Sequence, residues 1–176
     1  MLDLKTLDRI DSKSMYKIYD KWAEISKNAY NSNIKIAQFK EVDHVVFVGM
    51  GGSGTLGDIF SAILSKTNIH VSIVKGYLLP KTIDKNSLVV FTSVSGNTAE
   101  TLSAIKDAMK QNYKTISFSS GGILEQFCIK NNLEFRKIEK THSPRASFVS
   151  YLYSMLKVLE DIIPVEKNEI MNSIKE

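Results

Sequence analysis

Three short stretches of this chain carry residue types that could do chemistry. The clearest is Ser93-Val94-Ser95-Gly96-Asn97-Thr98, where three hydroxyls surround a glycine just ahead of a helical pattern. Hydroxyls donate to phosphate oxygens, and the unpaired amides at a helix start point the same way. A terminal phosphate monoester fits such a loop with no metal. A plainer reading makes Asn97 the helix cap, with Glu100 completing a capping-box-like pair. That accounts for Glu100, which is therefore not taken as a catalytic base, but not for three hydroxyls grouped around one glycine.

The second stretch is Gly49-Met50-Gly51-Gly52-Ser53-Gly54. It matches G-x-G-x-x-G, the dinucleotide fingerprint, yet glycines let a backbone approach any anion. A dinucleotide site also wants an acidic residue near the end of the next strand, for the ribose. Val74, Lys75 and Gly76 stand there instead. An NADP site would tolerate the lysine, so a nucleotide, a sugar phosphate and a simple tight turn all stay open. The third stretch is Thr141-His142-Ser143-Pro144-Arg145-Ala146-Ser147. Arg145 falls at a predicted helix start, where a cation opposes the helix dipole; it has another task or points to solvent. Ser119-Ser120-Gly121-Gly122 either lines a pocket or is a glycine turn. His142 reads as an exposed loop histidine, and His44 and His70 as structural or exposed.

The surrounding pattern says what positions these loops. Met15, Ile18, Tyr19, Trp22, Ile25 and Tyr30 recur at helical spacing, Asn31–Asn33 is a break, and Ile34–Phe39 reads as a second short helical piece. Val45–Val48 is a β-branched apolar run, a buried strand. Thr55–Lys66 follows as helix, His70–Lys75 as strand and Leu88–Thr92 as strand. Ala99–Gln111 is a helix with Leu102, Ile105 and Met109 on one face. Then come Thr115–Phe118 as strand, Gly122–Asn131 as helix, Leu133–Arg136 as strand and Arg145–Ile162 as a long helix. Strands alternating with helices predict an α/β fold, a three-layer αβα sandwich around a five-stranded parallel sheet with right-handed crossovers. In such sheets ligands bind beyond the carboxyl ends of the strands, where all three stretches fall. The tail from Pro164 is polar and expected to fray or to lead into a further segment.

Composition narrows the function classes. With 176 residues, one core is expected, and the net charge of +4 suits an anionic small molecule. Lys and Arg are spread along the chain with no basic tract interleaved with aromatics, which argues against nucleic acid. Cys128 is the single cysteine and cannot form an internal disulfide. No apolar stretch reaches membrane-spanning length, and a cytoplasmic protein is expected.

With these residues together, the chain resembles the SIS (sugar isomerase) domain superfamily, and within it the bifunctional phosphoglucose/phosphomannose isomerase family. The likeness rests on Gly49–Gly54 with Gly57-Asp58, on Thr92–Thr98 with Glu100-Thr101, on Ser119–Gly122 and on Ser143–Ser147. Leu7-Asp8-Arg9-Ile10-Asp11 through Met15 adds to it. The resemblance implies a flavodoxin-like SIS fold over residues 41–163, with residues 1–40 as a helical segment packed on it. Residues 164–176 would be a tail or the start of a linker to a second SIS domain.

It further implies that Ser93, Ser95 and Thr98 hold the substrate phosphate. Gly51, Gly52 and Ser53 would approach sugar and phosphate, and Arg145 would stabilise an enediolate. No metal, nucleotide or other cofactor is expected. In that family the basic glutamate and the ring-opening histidine come from the second domain, and no residue here matches that glutamate. The expectation is thus a domain for isomerising glucose 6-phosphate or mannose 6-phosphate to fructose 6-phosphate, acting as a homodimer or paired with a second SIS domain. Two alternatives remain: a non-catalytic phosphosugar-binding regulatory module, and a single-domain phosphohexulose isomerase, whose glutamate cannot be placed here.

Overall fold

Buried, β-branched runs that alternate with amphipathic ones can satisfy both faces of a sheet at once. In the computed structural model, which describes residues 3–175, they form a five-stranded parallel sheet. Met1, Leu2 and Glu176, the ends of the expected N-terminal segment and tail, lie outside the described residues. The strands are β1 (His44–Val48), β2 (His70–Val74), β3 (Ser87–Thr92), β4 (Lys114–Ser119) and β5 (Glu134–Lys137), in spatial order β2-β1-β3-β4-β5. Central β1 and β3 are buried throughout; edge strands β2 and β5 are only partly covered.

Alternate residues of each strand serve opposite cores. Val45, Phe47, Leu88 and Val90 face one core with α4 (Gly52–Leu64) and α7 (Phe148–Val158); there Phe47 stacks on Phe60 with centroids 5.1 Å apart. Val46, Val48, Val89 and Phe91 face the other, with α5 (Ala99–Lys110) and α6 (Gly122–Lys130). The helix after β1 therefore goes to one face and the helix after β3 to the other. The adjacent carboxyl ends of β1 and β3 form a switch point, where a crevice opens.

Several local expectations are corrected. Residues 34–39 are not helical. The segment is short, and its hydrogen bonds are tertiary: Ala37 N donates to the Val158 carbonyl at 2.9 Å, and Arg136 Nε donates to the Lys35 carbonyl at 2.7 Å. So short a helix could not offset its nucleation cost against those bonds. The N-terminal helical stretch is divided into α1 (Leu4–Ile10), α2 (Tyr16–Tyr19) and α3 (Trp22–Tyr30), and α3 packs along α7. On α5 the buried residues are Thr101, Ala104, Ile105 and Ala108, while Met109 is exposed.

The last long helix is shorter than expected, because residues 144–147 form a turn ahead of α7. The tail is not frayed where it is described. Glu166 and Glu169 form a capping box that starts α8 (Lys167–Ser173), and Ile170 and Ile174 are buried against the core. The two apolar positions four apart make one face of that helix adhesive, and the polar remainder hid it.

Candidate functional site

Gly49 N extends the sheet by donating to the Val74 carbonyl at 3.1 Å, and the chain then turns into α4 through Gly51. Gly51 has φ +55° and ψ −128°, a conformation that a side chain disfavours. That turn lets α4 begin at once, and Gly52 and Ser53 stand at its start. Ser53 N donates to the Met50 carbonyl at 3.1 Å and Thr55 N to the Gly51 carbonyl at 3.0 Å, so of the first amides of α4 those of Gly52 and Gly54 have no such turn bond, at the positive end of the helix.

The loop after β3 is built more tightly. Ser93 is 1% exposed, and its Oγ accepts from Gly96 N at 3.1 Å and lies 2.8 Å from Thr98 Oγ1. When Ser93 donates to Thr98, the Thr98 hydroxyl hydrogen is free for an anion. Asn97 N donates to Ser95 Oγ at 3.2 Å. Thr98 is the position ahead of α5, with no side-chain cap.

Asn97 does not cap α5 as the sequence suggested. Its Oδ1 accepts from Ile123 N at 3.1 Å in the first turn of α6. The capping-box pairing with Glu100 is absent among the described hydrogen bonds. Gly96, at φ +69°, lies so close to the Gly121 carbonyl that any side chain there would run into it. Leu124 N donates to the Gly96 carbonyl at 2.9 Å, and Ser120 Oγ to the Val94 carbonyl at 2.7 Å. Ser119–Gly122 thus braces the hydroxyl loop from behind and does not line the cleft.

The third loop is stapled by its own serines. Ser147 Oγ accepts from Thr141 N at 2.9 Å and donates to the Ser143 carbonyl at 2.7 Å, and Ala146 N donates to Ser143 Oγ at 3.3 Å. The staple holds Arg145 in the turn, three residues before α7 rather than at its first position, with an exposed side chain. His142 is exposed and donates Nε2–H to the Lys13 carbonyl at 2.9 Å, a structural contact.

These loops converge on a cleft of about 530 Å³. Gly52, Ser53, Ser95, Thr98 and Arg145 line it, as do Trp22, Met50, Val94 and Phe148. Gly51 stands just before this wall and Ser93 beneath it, so Ser93 orients Thr98 instead of facing the cleft. The sequence reading missed Trp22, which it placed in a helical stripe, and Met50 and Phe148, which lie inside motifs read for their neighbours.

Two helix N-termini and one guanidinium meet at the cleft, and no carboxylate lines it among the described residues. This arrangement is electrostatically suited to an anion. The nucleotide reading loses its cation, because Lys75 Nζ is paired with Asp58 Oδ2 at 2.7 Å and Lys75 does not line the cleft. No cluster of His, Cys, Asp and Glu that could hold a metal occurs among the described residues, nor any helix long and apolar enough to cross a membrane.

The chain is similar to the bifunctional phosphoglucose/phosphomannose isomerase of Caldicellulosiruptor bescii, 36% identical over 157 residues, which cover 86% of this chain and 44% of the relative. It is 34% identical over 128 residues to the enzyme of the same name from Aquifex aeolicus, covering 72% and 39%. The chain spans less than half the length of these curated relatives. Among solved structures, the C-terminal domain of glucosamine-fructose-6-phosphate aminotransferase from Francisella tularensis superposes with a TM-score of 0.63 at 18% identity, over 92% of this chain and 52% of that one, which speaks to the fold. The SIS domain profile matches residues 38–160, which contain every strand and all three loops, and the chain belongs to the SIS domain family.

Proposed function

We propose that this chain is the phosphate-binding part of an aldose–ketose isomerase that interconverts glucose 6-phosphate or mannose 6-phosphate with fructose 6-phosphate. The observation that carries it is the meeting of Ser53, Ser95 and Thr98, at the starts of α4 and α5, with Arg145 across one cleft. The hydroxyls and helix-start amides take the phosphate. Arg145 stabilises the negative charge that develops on oxygen when a proton leaves C2 of the open-chain sugar, a charge that exists only along the reaction path.

Moving that proton from C2 to C1 needs a base within hydrogen-bond reach. No carboxylate or histidine lines the cleft among the described residues. The base therefore comes from a second SIS domain or from a partner chain, consistent with relatives more than twice as long as the matched region. Alone, the chain binds fructose 6-phosphate and turns it over poorly; fast isomerisation by residues 1–176 would contradict this. With Ser95→Ala and Thr98→Ala combined, affinity falls by about 100-fold, two charge-assisted hydrogen bonds being lost. Unchanged binding would overturn the phosphate site.

The baseless cleft equally suits a regulatory module that senses a sugar phosphate without converting it. The coding sequence beyond codon 176 separates the two. A second domain carrying a glutamate and a histidine supports the isomerase; a stop codon supports the sensor or a two-subunit enzyme.

A further inference from the structure

Trp22 is the one large aromatic of the cleft that comes from outside the sheet-and-helix unit. It opens α3, is half-buried, and lines the cleft beside Met50, Val94 and Phe148, while Ser53, Ser95 and Thr98 provide the hydroxyls. Its Nε1–H donates to the Ala146 carbonyl at 3.3 Å, next to Arg145, and Tyr19 supports its ring edge-on at 4.8 Å. Arg145 makes no salt bridge among the described residues, so the turn that carries its backbone is what places it at the cleft. The same N-terminal stretch touches that turn twice more, through the Lys13 carbonyl on His142 and Met15 Sδ on Ser143 at 3.6 Å.

We propose that Trp22 is the sugar-facing wall of the cleft and, through its bond to Ala146, a positioning residue for Arg145. A phosphosugar is polar at its phosphate and presents apolar C–H faces along its carbons. The hydroxyl loops suit the first, and an indole face suits the second, giving contact area at little entropic cost. Trp22 packs against the core on one side and is left open to the cleft on the other. The inference rests on the sugar-phosphate reading of the same site.

Trp22 is the single tryptophan of the chain, so its emission reports on the cleft alone. Fluorescence and calorimetric titrations with fructose 6-phosphate and with inorganic phosphate, on the unaltered chain, Trp22→Ala and Trp22→Phe, test the role, with thermal unfolding run beside them. Fructose 6-phosphate shifts the emission of the unaltered chain, and inorganic phosphate does so far less. Trp22→Ala weakens fructose 6-phosphate binding by about tenfold and leaves phosphate binding within about twofold. Trp22→Phe, which keeps a ring but loses the N–H, recovers part of the loss.

Unchanged fructose 6-phosphate affinity in Trp22→Ala overturns the wall. So does an equal loss for both ligands that Phe does not restore, which marks a packing residue. Full recovery by Phe overturns the positioning role. If the unaltered chain binds neither ligand, the phosphate site itself fails; if it binds fructose 6-phosphate with no change in emission, only the role of Trp22 falls.

Discussion

The two ends of the sheet are both rich in serine, and they are built to opposite purposes. At the amino end, His44 is buried between Ser87 Oγ at 3.1 Å and Ser72 Oγ at 2.9 Å. Ser87 Oγ donates to Asp84 Oδ1 at 2.9 Å and accepts from Asp84 N at 3.0 Å, so His44 Nδ1 carries the proton and Nε2 accepts from Ser72. Both ring nitrogens of His44 and both serine hydroxyls of that cluster have a partner within the protein. At the carboxyl end, Ser93 is satisfied internally, but Ser95, Thr98, Ser53 and Arg145 turn into a cleft. The difference teaches where to look for function: where hydrogen-bonding groups are held by the loop behind them and still open onto a cleft.

The largest expected effect breaks the rigid half of that contrast. Gly96→Ala drives a side chain into the Gly121 carbonyl at a positive φ, and should cost about 3 kcal/mol in denaturant unfolding and abolish ligand binding. Next is Arg145→Ala, an exposed side chain facing the cleft. It should leave thermal stability within about 0.5 kcal/mol while fructose 6-phosphate binding, read by calorimetry, weakens by about tenfold or more. Ser93→Ala removes a buried hydroxyl that serves Gly96 N and Thr98, and should cost about 1 kcal/mol of stability and several-fold in affinity.

The amino end makes a different prediction. Burial, and then the neighbouring His70, hold the His44 pKa below the ordinary histidine value; Asp84 and Asp43 pull the other way. The unfolded chain therefore takes up the proton first. The stability contributed is complete above about pH 6.5 and is lost as pH falls through that value toward the folded pKa. Denaturation midpoints measured across this range should fall on acidification, and His44→Gln should flatten the slope; an unchanged slope would remove His44 as its source. The smallest effect is at the Lys75–Asp58 pair, half-exposed on both sides, where Lys75→Ala should change stability by about 0.5 kcal/mol or less and ligand affinity not at all.

What was legible in the sequence follows the same division. Val45–Val48 and Leu88–Thr92 are apolar runs that end in loops of unusual composition, and this was enough to place the strands, the parallel sheet and the cleft. Gly52, Ser53, Ser95, Thr98 and Arg145 lie in the three loops singled out by residue type and spacing, and the family resemblance, not the pattern, picked them out of those loops. Contacts distant in sequence were not legible. Nothing local says that residues 34–39 are held extended by Val158 and Arg136, or that Asn97 serves α6 rather than α5. Nor could spacing show that Ser93 bonds inward, or that Trp22 reaches across 124 positions to Ala146. The burial of α8 was hidden because few of its residues, Ile170 and Met171 with Ile174 just past its end, pack on the core.

The most direct test follows backbone amides in a ¹H–¹⁵N spectrum while fructose 6-phosphate is added. Shifts should concentrate at residues 51–54 and 95–99, and the amides of Asp43, His44, Ser72 and Asp84–Ser87 at the opposite end should stay in place. Shifts centred on that amino end, or none at the two helix starts at saturating ligand, would contradict the account.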